Sequence, residues 1–152
     1  MRMYEGITNE ELLKCFANPM GKTMMNHAFN ACSIESYLAI AAVLSPRIIE
    51  AKGCFFISEF YNGNIESLEQ EFNFDKEKIE KHVNSWSLTD FFLLARDSSL
   101  DNDDIYFEFC KIIKYFWELR FKELLPNVKF KVEIMDNFMG ESDKAITVYQ
   151  VK

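Results

Sequence analysis

The chain is poor in the residues that usually announce a reaction. Among 152 residues there are 2 His, 5 Gly and 4 Cys. Neither imidazole has a second ligand at helical spacing. His27 is followed by Asn30 and Ala31, and His82 by Ser85 and Trp86, so no helical metal pair is predicted. The cysteines, Cys15, Cys32, Cys54 and Cys110, are widely spaced with no C-x-x-C pair. That excludes the zinc and thioredoxin-type signatures and predicts free thiols packed as small hydrophobes. Only 3 prolines occur, Pro19, Pro46 and Pro126. With no repeat and no low-complexity linker, they punctuate one domain over residues 1–152. No apolar run approaches the ~20 residues of a membrane span. The N-terminal residues carry no apolar core before Glu10 and Glu11, so no signal peptide is expected and a cytoplasmic location is predicted.

What is abundant is aromatic and acidic. There are 15 Phe, 6 Tyr and 2 Trp, with 24 acidic side chains against 17 basic ones and a net charge of −7. Each aromatic can bury roughly 150–250 Å², enough to build a core without disulfides or metal. The negative charge disfavours nucleic acid and anionic membranes, whose phosphates need clustered Lys and Arg. It favours a basic protein partner, which it would steer into contact.

Element signals follow from periodicity and capping. Thr8 and Glu11 have capping-box spacing, predicting a short helix to residue 16 that Asn18-Pro19 ends. A second helix is expected over residues 20–29. Ser33 can cap a third over Ile34–Leu44, whose scarcity of charge predicts burial on most sides. Residues 54–61 read as a strand with apolar groups on both faces, hence central to a sheet. Phe55 and Ile57 share one face, Phe56 and Phe60 the other. Lys52-Gly53 before it suggests a turn, leaving residues 47–51 as a short strand or a connector. Asn64 and Asp75 are expected caps for two short helices, with Ile65, Leu68 and Phe72 at helical spacing. Ser87 to Asp90 has capping-box spacing before another short helix.

The longest helix is predicted over residues 104–125. Its N-terminal acids and C-terminal Arg120 and Lys122 suit the macrodipole, and Pro126 closes it. Glu108, Lys111, Lys114, Glu118 and Lys122 form a narrow polar stripe, leaving a wide apolar arc that predicts a central helix. Residues 128–134 and 145–151 alternate as strands. The predicted fold is α+β: N-terminal helices, a three- to four-stranded mostly antiparallel sheet, and the long helix packed on a C-terminal β-hairpin.

Three constellations resemble chemical sites and fall short. Gly21-Lys22-Thr23 matches the end of a phosphate-binding loop, but Phe16 stands where the first glycine is required. Asp101, Asp103 and Asp104 evoke a calcium loop, but Tyr106 and Ile112 occupy its glycine and glutamate positions. A spatial triad such as Cys32, His82 and Asp90 can be written for any chain with these residues. No catalytic residue, metal site or cofactor is therefore assigned.

The acids offer a different reading. Asp101, Asp103 and Asp104 precede the long helix, while Asp136, Glu141 and Asp143 flank Phe138 and Met139 in the loop between the last two strands. Aromatic anchors with charged rims are the usual composition of a protein-binding surface. The expected function is a non-enzymatic acidic binding protein that neutralises a basic partner, in the manner of a bacterial immunity protein against a toxin such as a nuclease. The partner-binding residues would be Asp101, Asp103, Asp104, Asp136, Phe138, Glu141 and Asp143. The alternatives are a small enzyme or ligand-binding domain with a pocket between helices and sheet, and an oligomeric subunit pairing through the long helix.

Overall fold

The computed structural model describes residues 1–95, 98–136 and 144–151. A 3₁₀ helix, Glu10–Cys15, opens the chain, capped by the Asn9 side chain, which accepts from the Glu11 N–H. The expected Thr8 capping box does not form. Asn9 is one residue closer, and the Glu108 carboxylate accepts the Asn9 N–H at 2.8 Å, which fixes Asn9 in the cap position. Two helices follow, α1 (Met24–Ala31) and α2 (Ile34–Leu44), capped by Thr23 and Ser33. α1 starts later than predicted because the Thr23 hydroxyl takes the Asn26 N–H, a stronger start signal than the apolar residues before it.

A hairpin comes next, β1 (Ile48–Ala51) paired antiparallel with β2 (Cys54–Ile57). Lys52 and Gly53 turn it with φ of 49° and 74°, the two left-handed residues of a tight hairpin loop. Two short helices, α3 (Ile65–Glu71) and α4 (Lys76–Val83), lead to the two-residue β3 (Trp86–Ser87). Asp75 caps α4 through the Lys78 N–H, whereas Asn64 makes no side-chain cap bond. The helix expected after Ser87 is reduced to one 3₁₀ turn, Asp90–Phe92, because Ser87 pairs as a strand with Ala145.

The long helix α5 (Asp103–Leu124) is capped by Asn102, and the hairpin β4 (Phe130–Asp136) and β5 (Lys144–Gln150) completes the fold. The mixed α+β class is as expected, and α5 packs on β4. The sheet is divided: β3-β5-β4 form one antiparallel unit and β1-β2 another. The central strand is β5, not residues 54–61. β2 ends at Ile57 and pairs by backbone with β1 alone, while β5 is buried from Ala145 through Tyr149 and so is covered on both faces.

Two apolar clusters meet at these strands. Phe55 and Ile57 face Ile113, Trp117, Phe121, Val132, Ile146 and Val148. Cys54 and Phe56 face Ile65, Leu68 and Ile79. The predicted faces of β2 therefore hold, except that Phe60 joins the first cluster and stacks on Trp86 at 4.8 Å. On α5, Cys110, Ile113, Trp117 and Phe121 are buried, one stripe at i, i+3, i+7 and i+11.

The missing backbone ladder between β2 and β5 is replaced by side chains of α4. Glu80 accepts the Phe55 N–H at 2.7 Å through Oε1 and the Gln150 N–H at 2.6 Å through Oε2. Asn84, one turn on, accepts the Ile57 N–H at 3.0 Å and donates to both Phe55 O and Val148 O at 2.9 Å. Gln150 Nε2 adds bonds to Glu80 Oε1 and Gly53 O. Glu80 and Asn84 are fully buried, and among the described residues no buried side-chain nitrogen or oxygen lacks a partner.

The largest departure concerns α2. It was expected to be buried on most sides, and none of its residues is. Its contact with the core runs through Val43, whose carbonyl accepts from Trp117 Nε1 at 3.0 Å. Ile34 is 79% exposed and Leu38 69%.

Candidate partner-binding surface

Three of the acids singled out in the sequence lie together at the start of the long helix. Asp101 closes a 3₁₀ turn, Ser99–Asp101, and Asp103 and Asp104 form the first turn of α5. Asn102 sits between them with its carboxamide turned back onto the Asp104 and Ile105 N–H groups. All three aspartates are exposed. Asp90 belongs to the same end, since Thr89 Oγ1 lies 3.4 Å from the Tyr106 hydroxyl.

These carboxylates differ from most others on the surface. Glu66 and Glu69 share Lys52, Glu77 pairs with Lys81, and Glu118 with Lys114. Among the described residues, no cation lies within ion-pair distance of Asp90, Asp101, Asp103 or Asp104. Charges so placed project a field over roughly one Debye length, about 8 Å at physiological salt.

Asp136 stands at the end of β4, on the same side of the molecule, but in a different state. The Lys144 ammonium binds it and also lies 5.1 Å from the ring of Phe107, on α5. The Asp136 carboxylate raises the Lys144 pKa, which keeps the pair ionised. Its charge is thus largely spent within the fold. Phe138, Glu141 and Asp143 lie outside the described residues.

Apolar groups that the sequence reading did not select complete this end. Leu93, Leu94 and Phe107 are exposed. Phe107 lies on the polar stripe of α5, at i−4 from Lys111 and i−7 from Lys114. An aromatic in line with lysines was the available signal. Beside the aspartates opens an apolar cleft of about 250 Å³, lined by Phe92, Ser99, Leu100, Ile105, Tyr106 and Phe109.

The chemical constellations resolve into structural roles. Gly21 has φ of 93° and its α-carbon abuts Asn26, where a Cβ would come within 2.5 Å of the Asn26 Cβ. The glycine is required by this contact, and Thr23 is occupied as a helix cap. His27 Nδ1 accepts the Met20 N–H at 3.0 Å, and His82 packs on Phe72. Among the described residues no hydrogen bond joins Cys32, His82 and Asp90, and no cluster of three or more His, Cys, Asp or Glu could hold a metal. Burial pushes the Cys54 thiol up to about 11, with the nearby Glu80 charge adding to it.

No helix of the described residues is long and apolar enough to cross a membrane. A scan against protein-family models and searches of curated proteins and of solved structures return no match to this chain.

Proposed function

We propose that the protein is a binding protein that neutralises a basic protein partner through the end of the molecule carrying Asp90, Asp101, Asp103 and Asp104. The observation that carries this reading is the group of four aspartates without a cationic partner among the described residues, beside exposed Leu93, Leu94 and Phe107. Acids without a cation beside them among the described residues supply long-range attraction and reject acidic competitors. The adjacent apolar cleft supplies a seat for one or two anchoring side chains, where most binding energy is concentrated. A nuclease toxin with a cationic substrate cleft is the type of partner this combination suits, and an immunity protein is the matching role.

The test is affinity capture of the tagged protein from its native lysate at low and moderate salt, followed by binding kinetics with any stoichiometric basic protein recovered. The triple variant D101N/D103N/D104N should slow association by about tenfold at low salt and flatten its salt dependence, leaving dissociation nearly unchanged. Association rates that do not respond to salt or to these substitutions overturn the reading.

A further inference from the structure

The helical arm formed by α1 and α2 exposes apolar side chains that the fold does not use. Ile34, Leu38 and Ala41 are all exposed and recur at i, i+4 and i+7, one stripe along the outer face of α2. Val43 points the other way, into the core. On α1, Met25 and Phe29 repeat the i, i+4 spacing at 65% and 70% exposure. A surface helix normally turns such a stripe inward. Here the inward side carries Ser36 and Val43, while the outward side carries the larger apolar groups.

The area is of interface size. The open parts of Met25, Phe29, Ile34, Tyr37 and Leu38 expose on the order of 600 Å² of apolar surface. A standard stable interface takes about 800 Å² from each partner, so a modest polar rim completes it.

Charge identifies the occupant. Of 24 acidic and 17 basic side chains, only Glu35 falls within residues 23–46. Two copies of a molecule with net charge −7 repel at most orientations, and an isologous contact sets each patch against itself. Such a contact needs a segment nearly free of charge, and this arm supplies it. A basic partner, by contrast, has no charge to recognise here and is served by the aspartate end. Ala41 and Ala42, on or beside the stripe, leave room for a second helix to approach closely.

We infer that the protein forms a symmetric homodimer through the α1–α2 arm, with the Ile34–Leu38–Ala41 stripe of α2 packed on that of a second copy. The stripe itself contains none of Asp90, Asp101, Asp103 and Asp104, although His27, Asn30 and Ala31 of α1 line a cavity with Ser99 and Ile105 beside them. The inference is independent of the identity of any basic partner.

Sedimentation equilibrium of the full chain, from micromolar to hundreds of micromolar, tests it. The wild type should show a saturable monomer–dimer equilibrium that does not weaken as salt rises. Leu38→Glu and Ile34→Glu should each weaken dimerisation by roughly a hundredfold, because they bury an unpaired charge. Both positions are exposed in the monomer, so far-UV circular dichroism should be unchanged. Leu94→Glu, outside the α1–α2 stripe, should leave dimerisation intact. A wild type that stays monomeric throughout overturns the inference and leaves the arm to a different partner. So does association without an end point, a dimer insensitive to both α2 substitutions, or one broken by Leu94→Glu.

Discussion

Glu80 and Asn84 sit one turn apart on α4, and between them they satisfy the exposed backbone edges of two strands. Removing Glu80 to alanine strands the Phe55 and Gln150 amides inside the protein, and each orphaned donor costs about 1–3 kcal/mol. Glu80→Ala should therefore destabilise by roughly 2–5 kcal/mol in urea unfolding, with Glu80→Gln milder because its oxygen can still accept from Phe55. The carboxyl also gives a pH signature. Burial raises its pKa above the ordinary carboxylate value, against the pull of the Gln150 and Phe55 donors. A raised folded-state pKa means that this group's contribution is fully present below the unfolded value and lost as pH rises through the folded one. The stability advantage of wild type over Glu80→Gln should accordingly be largest in acid and narrow as pH increases. A gap that widens with pH would show that the three donors outweigh burial. The cysteines divide on the same physical basis. Cys54 and Cys110 are buried, while Cys15 is exposed and Cys32 partly so. Under native conditions a thiol reagent should label Cys15 and Cys32, and all four only after denaturation.

At the scale of elements, α5 is the part most clearly written in the sequence. Its length, its polar stripe and its terminal charges all agree, and the helix found differs from the predicted span by one residue at each end. Asn102 rather than Asp103 is the cap, and Asn102→Ala should cost about 1 kcal/mol of stability. Asp103→Asn and Asp104→Asn should each cost only a few tenths, through the helix dipole. Equilibrium unfolding of the three variants separates capping from charge, and that separation is needed before any binding defect is read from the aspartates. The two misjudged elements were misjudged for physical reasons. β2 has apolar residues on both faces, which ordinarily marks a strand with neighbours on both sides. The polar group that substitutes for one neighbour, Glu80, is one of two acids in α4 with Glu77, and nothing local distinguishes a buried glutamate from an exposed one. In α2 the scarcity of charge was legible, but composition does not say whether a helix is covered by its own chain or by another.

For the whole molecule, the division of the sheet decides how it should unfold. The two apolar clusters lie on opposite faces of β2, and the bonds of Glu80 and Asn84 tie that strand to β5. Amide protection at Phe56, which is in the β1–β2 ladder, should therefore match that at Tyr149 in wild type, both exchanging through global unfolding. In Asn84→Ala the Phe56 amide should exchange faster than Tyr149 as the hairpin opens separately. Equal protection in that variant would mean that apolar packing alone holds the hairpin. The candidate surface was legible in part. The three aspartates before α5 could be selected because they form an acidic run without a base, and the structure groups them with Asp90. Asp136 could not be recognised as paired, because Lys144 comes within reach only when the hairpin closes. Leu93, Leu94 and Phe107 escaped selection because exposure of an apolar residue is a property of the fold rather than of its neighbours in sequence.

The side-chain junction between β2 and β5 also sets an order of events during synthesis. Glu80 and Asn84 bond to strand residues 25 to 29 positions before them, as soon as α4 forms, but their other partners lie 64 and 70 positions after. A ribosome adding about 5–20 residues per second leaves a nascent chain that has made the hairpin and α4 but has half of this junction unsatisfied for several seconds. During that interval the glutamate has water in place of the Gln150 amide, and the second face of β2 lacks Val148. The hairpin is thus committed only when β5 emerges, so slowing translation downstream of α4 should lengthen the lifetime of an incomplete, chaperone-accessible chain without altering the finished fold.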